Sequence, residues 1–265
     1  MVVEAGGGVR SPAPRAARPT GHRTCVYAMV RAGHRLAVDT RGVGNPPLPV
    51  RMITEGDVAA VVSDAPDDLR ARRRDLLAHQ GLLLGLAEHG SVLPMRFGSV
   101  AEDDATVRGQ LREGRQRYAA TLRRLDGRVE LNVKASPDTD SLDAVVTEDR
   151  EVRRLRAEVR RRPGYEASLR LGQAVAAAFA RRAAEAGRDL LEQLRPLADA
   201  VAPGPEVPGC VLNVSFLVER GRQRSFEDTV AAVSSRHEGR AVLRMSGPLP
   251  CYSFSGVGSA EPAEV

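Results

Sequence analysis

The sequence predicts an α+β fold made of two small domains, and three observations carry that prediction. Three apolar runs of strand length come first and amphipathic helical periods follow, the order of an antiparallel sheet with helices laid on it. A second round of strand, helix and strand begins at Arg128, after an Asp126-Gly127 break. Two Pro-bearing strands of similar text, Val92-Leu93-Pro94-Met95-Arg96-Phe97-Gly98 and Val242 to Phe254, each follow an amphipathic helix. The first domain is expected over residues 24–127, as a modified ferredoxin-like antiparallel sheet with helices on one face. The second, residues 128–254, is expected to be α+β with a long helical hairpin. Residues 1–23, rich in Gly, Pro and Arg, read as a disordered leader, and 255–265 as a disordered tail.

Thr24-Cys25-Val26-Tyr27-Ala28-Met29-Val30 reads as a buried strand, followed by a loop marked by Gly42, Gly44, Asn45, Pro46 and Pro47. Val50 to Thr54 and Asp57 to Ser63 form a hairpin around Glu55-Gly56. The acidic stretch Asp64 to Asp68 opens a helix, since carboxylates favour the positive helix start. Leu69, Leu76, Leu77, Leu83, Leu84 and Ala87 recur along it at helical spacing, Leu82 and Leu86 widen the stripe, and Gly90 ends it. A second helix starts near Glu102, with Val107, Leu111, Tyr118, Leu122 and Leu125 on its inner face.

In the second half, Arg128 to Lys134 alternates apolar with polar residues, as a half-exposed strand does. Val152, Leu155 and Val159 are the seam of a charged helix from Glu148 to Arg162, closed by Pro163-Gly164. A longer helix runs from Tyr165 to about Leu197. Its inner line is Tyr165, Leu169, Gly172, Ala176, Phe179, Ala183, Leu190, Leu194 and Leu197, close to a coiled-coil seam, with the preceding helix as partner. Pro203 to Gly209 reads as a linker and Val211 to Val218 as the strongest strand; Phe226, Val230 and Val233 mark a short helix. Leu212-Asn213-Val214 repeats Leu131-Asn132-Val133, which predicts that these two strands are neighbours.

Composition narrows the function. At 265 residues, 42% hydrophobic and 28% charged, the chain has the make-up of an ordinary globular protein. Its formal net charge of +5 is spread over helices where Arg alternates with acids, without a basic stripe interleaved with aromatics, so no nucleic-acid partner is expected. No apolar run approaches the ~20 residues of a membrane-spanning helix, so no membrane partner is expected either. Cys25, Cys210 and Cys251 stand far apart without metal-ligand spacing. They read as reduced thiols of a cytosolic protein, and neither metal nor cofactor is expected.

Catalytic constellations are missing too: no Gly-x-Ser-x-Gly elbow, His-Glu-x-x-His pair or Walker sequence occurs. His79 and Arg96 are the two residues worth weighing. His79 is either part of a cleft with Arg96, binding a small ligand or acting as an acid/base, or a core histidine bridging its helix to the sheet; no nucleophile or second acid accompanies it. Arg96, flanked by Met95 and Phe97 on an alternating strand, either meets an acidic partner group or pairs with Asp64 or a helix carboxylate. The helix from Glu148 to Arg162 has acids early and arginines late, which is either a solvated face or a docking surface for acidic partners.

Taken together, eight segments in order resemble the gas vesicle protein GvpL/GvpF family. They are Tyr27-Ala28-Met29-Val30, Val58 to Ser63, Ala78-His79-Gln80, Val92 to Gly98, Glu130 to Lys134, Arg170-Leu171-Gly172, Asn213 to Val218 and Gly247 to Phe254. The resemblance covers nearly everything from Thr24 to Phe254. It departs from the family pattern at Cys251, where the second proline of Pro-Pro-Tyr-Ser-Phe usually stands, and at Leu249, where Trp is frequent. It implies a cytoplasmic, non-enzymatic accessory protein of gas vesicle assembly. The partners so implied are the hydrophobic shell protein and other accessory proteins. Arg96, Phe97, Leu249 and Tyr252, in the two signatures, are the expected partner-binding residues.

Overall fold

The structure, a computed structural model, describes residues 23–256, so the expected leader before Arg23 and the tail beyond Gly256 lie outside it. Strands β1 (Thr24–Arg31), β2 (Arg51–Glu55), β3 (Val58–Asp64) and β4 (Val92–Pro94) form an antiparallel sheet in the order β2-β3-β1-β4. The two-residue β5 (Val100–Ala101) pairs with the start of β1. This is the ferredoxin-like strand order, with loop 32–50 standing where that plan has its first helix.

Helices α1 (Arg73–Glu88) and α2 (Asp104–Arg124) cover opposite faces of this sheet, which corrects the expectation of helices on one face. Val58, Ala60 and Val62 of β3 pack with Val107, Leu111 and Leu122 of α2, whereas Ala59 and Val61 pack with Leu82, Leu83 and Leu86 of α1. Strands buried on both sides are continuous apolar runs, and β1 and β3 are such runs.

Asp103 caps α2 by accepting from the Thr106 amide at 2.7 Å, and the inner face is the one expected. The start of α1 is later than expected. Asp68 binds Arg72 at 2.8 Å ahead of the helix, Leu69 packs from the preceding loop, and Leu76 and Leu77 face outward. The buried line is Asp75, His79, Leu82, Leu83 and Leu86. Asp75 accepts from the Gly44 amide at 3.1 Å, tying loop 32–50 to the first turn of α1.

The second sheet is also antiparallel: β6 (Arg128–Pro137), β7 (Ala200–Pro203), β8 (Leu212–Glu219) and β9 (Ala241–Leu249) in the order β7-β8-β6-β9. β6 and β8 are neighbours, as the repeated text predicts, and Asn132 donates to Asn213 Oδ1 at 2.9 Å. The expected linker is corrected. Pro203 ends edge strand β7, where a residue without an amide hydrogen is tolerated, and the Pro- and Gly-rich stretch is the loop joining β7 to β8.

Helices α3 (Leu142–Glu148), α4 (Arg150–Arg161), α5 (Tyr165–Leu194) and α6 (Gln223–Arg236) are the remaining α-helices among the described residues. α4 and α5 form the expected hairpin around Pro163-Gly164, and Arg170 reaches Glu158 across it at 2.7 Å. The inner line of α5 needs correcting in its first half. Ala167, Leu171, Ala174, Val175 and Ala178 face inward, while Tyr165 and Leu169 are exposed. The cause is a change of partner: α5 packs on α3 and α4 first, then lays Leu190 and Leu194 on the second sheet beside Phe226 and Val230 of α6. One further cluster joins the two halves, running from the first sheet through α2 to Leu217, Cys251 and Phe254.

Candidate functional site

The two Pro-bearing segments are not plain strands; each becomes a bend fixed from outside itself. β4 stops at Pro94, and the Met95 amide donates to the Tyr27 carbonyl at 2.8 Å. Ser99 then closes the bend by donating to the Arg96 carbonyl through its hydroxyl (2.8 Å) and its amide (3.2 Å), around Gly98 at a φ of +84°. The expectation that Arg96 alternates along a strand is therefore corrected, since the strand has ended. Its side chain is still exposed, with Met95 and Phe97 half-buried on either side. Asp64, one partner the sequence offers Arg96, binds Arg51 at 2.9 Å.

At the second segment β9 pairs with β6 through a bulge. Glu130 lies opposite Leu249 and Asn132 opposite Ser246, so Gly247 and Pro248 together face Leu131 alone. Gly247 sits at a φ of +149°, where a Cβ would meet the Glu130 carbonyl oxygen at 3.0 Å and Leu131 Cδ2 at 2.6 Å. The bulge sends the chain past buried Cys251 into a 3₁₀ turn, Tyr252–Phe254. Glu130, itself buried, accepts from the Ser253 amide at 2.9 Å and the Ser253 hydroxyl at 2.7 Å, and Arg124 donates to the Phe254 carbonyl. Burial, and then the Glu130 carboxylate, push the Cys251 thiol up to about 12, so it stays protonated.

His79 joins the two bends. With 4% of its surface exposed, it places Nε2 3.1 Å from the Met95 carbonyl of the first bend and 3.4 Å from the Tyr252 hydroxyl of the second. Its ring packs against Tyr27 at 5.5 Å and edge-on to Phe97 at 5.7 Å. Burial lowers its pKa, so the ring is neutral and donates from Nε2 to the Met95 carbonyl. Nδ1 is buried without a hydrogen-bond partner among the described residues. A cleft presenting both His79 and Arg96 is therefore ruled out: the imidazole is packed between rings.

Of the four expected site residues, Phe97 and Tyr252 meet at His79, and Arg96 projects from the bend beside Phe97. Leu249 lines a cavity of about 290 Å³ between the two halves, with Leu84, Ala87, Val92, Leu125 and Cys251 among its walls. Glu130, Arg124 and Tyr27 hold the bends in place, although the sequence marks none of them as a site residue. Glu130 sits at a polar position of an alternating strand, the usual mark of solvent exposure.

The molecule is thus an α+β protein of two antiparallel sheets whose signature bends converge on a buried histidine. The family model of the gas vesicle synthesis proteins GvpL/GvpF matches residues 24–256, and the chain belongs to that family. It is similar to gas vesicle protein F of Streptomyces sp. (strain CB03234), 44% identical over 238 residues that cover 87% of this chain and 98% of the relative. To gas vesicle protein L of the same strain it is 31% identical over 265 residues, covering 90% and 95%. The crystal structure of the gas vesicle protein GvpF from Anabaena sp. PCC7120 superposes with a TM-score of 0.72 at 21% identity, covering 89% of this chain and 98% of that one. That of GvpF from Microcystis aeruginosa superposes with a TM-score of 0.69, also at 21%, over 88% and 99%, so both share the fold. Family membership gives the chain a role in gas vesicles.

Proposed function

We propose that this chain is a non-enzymatic, cytoplasmic assembly factor that binds the hydrophobic shell protein and other accessory proteins while gas vesicles nucleate or grow. The family and its relatives named gas vesicle protein F and L support the setting. The observation that carries the reading is the convergence of both signatures on His79. Residues far apart in the chain are brought together at His79, where Tyr252 is 41% exposed and Phe97 half-covered, with Arg96 exposed next to Phe97 in the chain. Tyrosine and arginine are among the residue types that most often anchor protein interfaces. A shell protein with apolar faces needs such a partner, because exposed apolar patches and strand edges aggregate.

Among the described residues no helix is long and apolar enough to cross a membrane, and no His, Cys, Asp and Glu group is arranged to hold a metal ion. The test is a pull-down of the tagged chain against each vesicle protein expressed separately. Arg96→Glu with Tyr252→Ala should weaken capture of the shell protein by about tenfold. Undiminished capture would take both residues out of the account.

A further inference from the structure

We propose that the turning end of the α4–α5 hairpin is a docking surface for an acidic, amphipathic helix of a partner protein. This surface lies apart from the signature bends and does not rest on their reading. Residues 150–170 hold eight arginines against three glutamates, a formal +5 equal to the net charge of the whole chain, so everything else sums to neutrality. All eight arginines are exposed. Arg154 pairs with Glu151 at 2.6 Å and Arg170 with Glu158 at 2.7 Å. Arg150, Arg153, Arg156, Arg160 and Arg162 form no ion pair among the described residues. Arg156 and Arg160 are four residues apart on α4, a spacing at which like charges oppose the helix. The fold bears that repulsion when isolated, and an acidic partner relieves it.

The apolar half of the surface begins at the same turn. Tyr165 is 83% exposed in a chain with no tryptophan and four tyrosines, and Leu169, one turn further along α5, is 49% exposed. Gly172 and Ala176 continue that exposed line with small side chains, which lets another helix approach closely. Guanidinium forks match carboxylates in two-point contacts. They match phosphates equally well, but a nucleic-acid backbone gains nothing from an apolar line, so a protein helix is the better occupant. A second copy brings the same +5 to the turn, which opposes pairing of two tips.

The test uses the full chain and a fluorescein-labelled helical peptide of about 18 residues, with leucines at helical spacing and glutamates along both flanks. Arg160→Glu, Arg161→Glu and Arg162→Glu together should weaken binding about tenfold, and Tyr165→Ser with Leu169→Ser about fivefold. The exposed triple Arg195→Glu, Arg222→Glu and Arg224→Glu carries the same net charge change and should alter binding less than about twofold. Equal weakening by both triples, or indifference to the serine pair, would overturn the proposal. So would stronger binding of a DNA duplex of matched charge, or sedimentation showing that the turn pairs with a second copy. Retained circular dichroism and melting temperature confirm that each variant is folded.

Discussion

Burial holds His79 below the ordinary histidine value of 6.5, with its ring among Tyr27, Phe97 and Tyr252. A base depressed in the folded state contributes its full stability above the unfolded value. That contribution is lost as pH falls through the folded value, because the unfolded chain takes the proton first. Stability should therefore decline as pH drops below 6.5, and His34, lowered mainly by burial, adds to the same window. His79→Gln keeps a donor for the Met95 carbonyl but removes the linkage. The loss of urea midpoint between about pH 7 and pH 5 should shrink in that variant, and an unchanged loss would contradict the joint. Glu130 is the other residue on which the bends depend. Glu130→Ala leaves the Ser253 amide and hydroxyl without their acceptor and should cost about 1–3 kcal/mol in urea unfolding. His79 was legible in the sequence as a histidine bridging helix to sheet. Glu130 was not, because its acceptor role comes from a segment 123 residues away.

The elements were legible where one partner decides the pattern. α2 packs on one sheet face with one line of residues, and its expected inner face is the observed one. The pattern failed where an element has two partners. β1 and β3 are covered on both sides, a fact written in their unbroken apolar text, and α5 rotates its buried line as it passes from helices to sheet. The β9 bulge was illegible as such, although Gly247-Pro248 marked a bend. Gly247→Ala should destabilise the chain by about 2 kcal/mol or more, because the left-handed backbone and the Glu130 carbonyl both reject a Cβ. An unfolding midpoint equal to that of the parent chain would show that the bulge relaxes at no cost.

For the whole molecule, the cluster that runs from the first sheet to Leu217, Cys251 and Phe254 ties the two halves together. A fragment ending at Gly127 loses those three side chains and the Phe254 carbonyl that Arg124 binds. It should give poorly dispersed amide spectra and no cooperative melt, whereas sharp dispersion would mean that the first half folds unaided. The two signature bends meet at His79, a contact between segments more than 150 residues apart that neither segment's text shows by itself. The measurement that bears most directly on the assembly role is vesicle formation in a reconstituted gene cluster from which this chain, and any paralogue, is removed. Electron microscopy should show vesicles absent or misshapen, restored by the intact chain but not by Arg96→Glu with Tyr252→Ala. Normal vesicles without the chain would contradict the role itself.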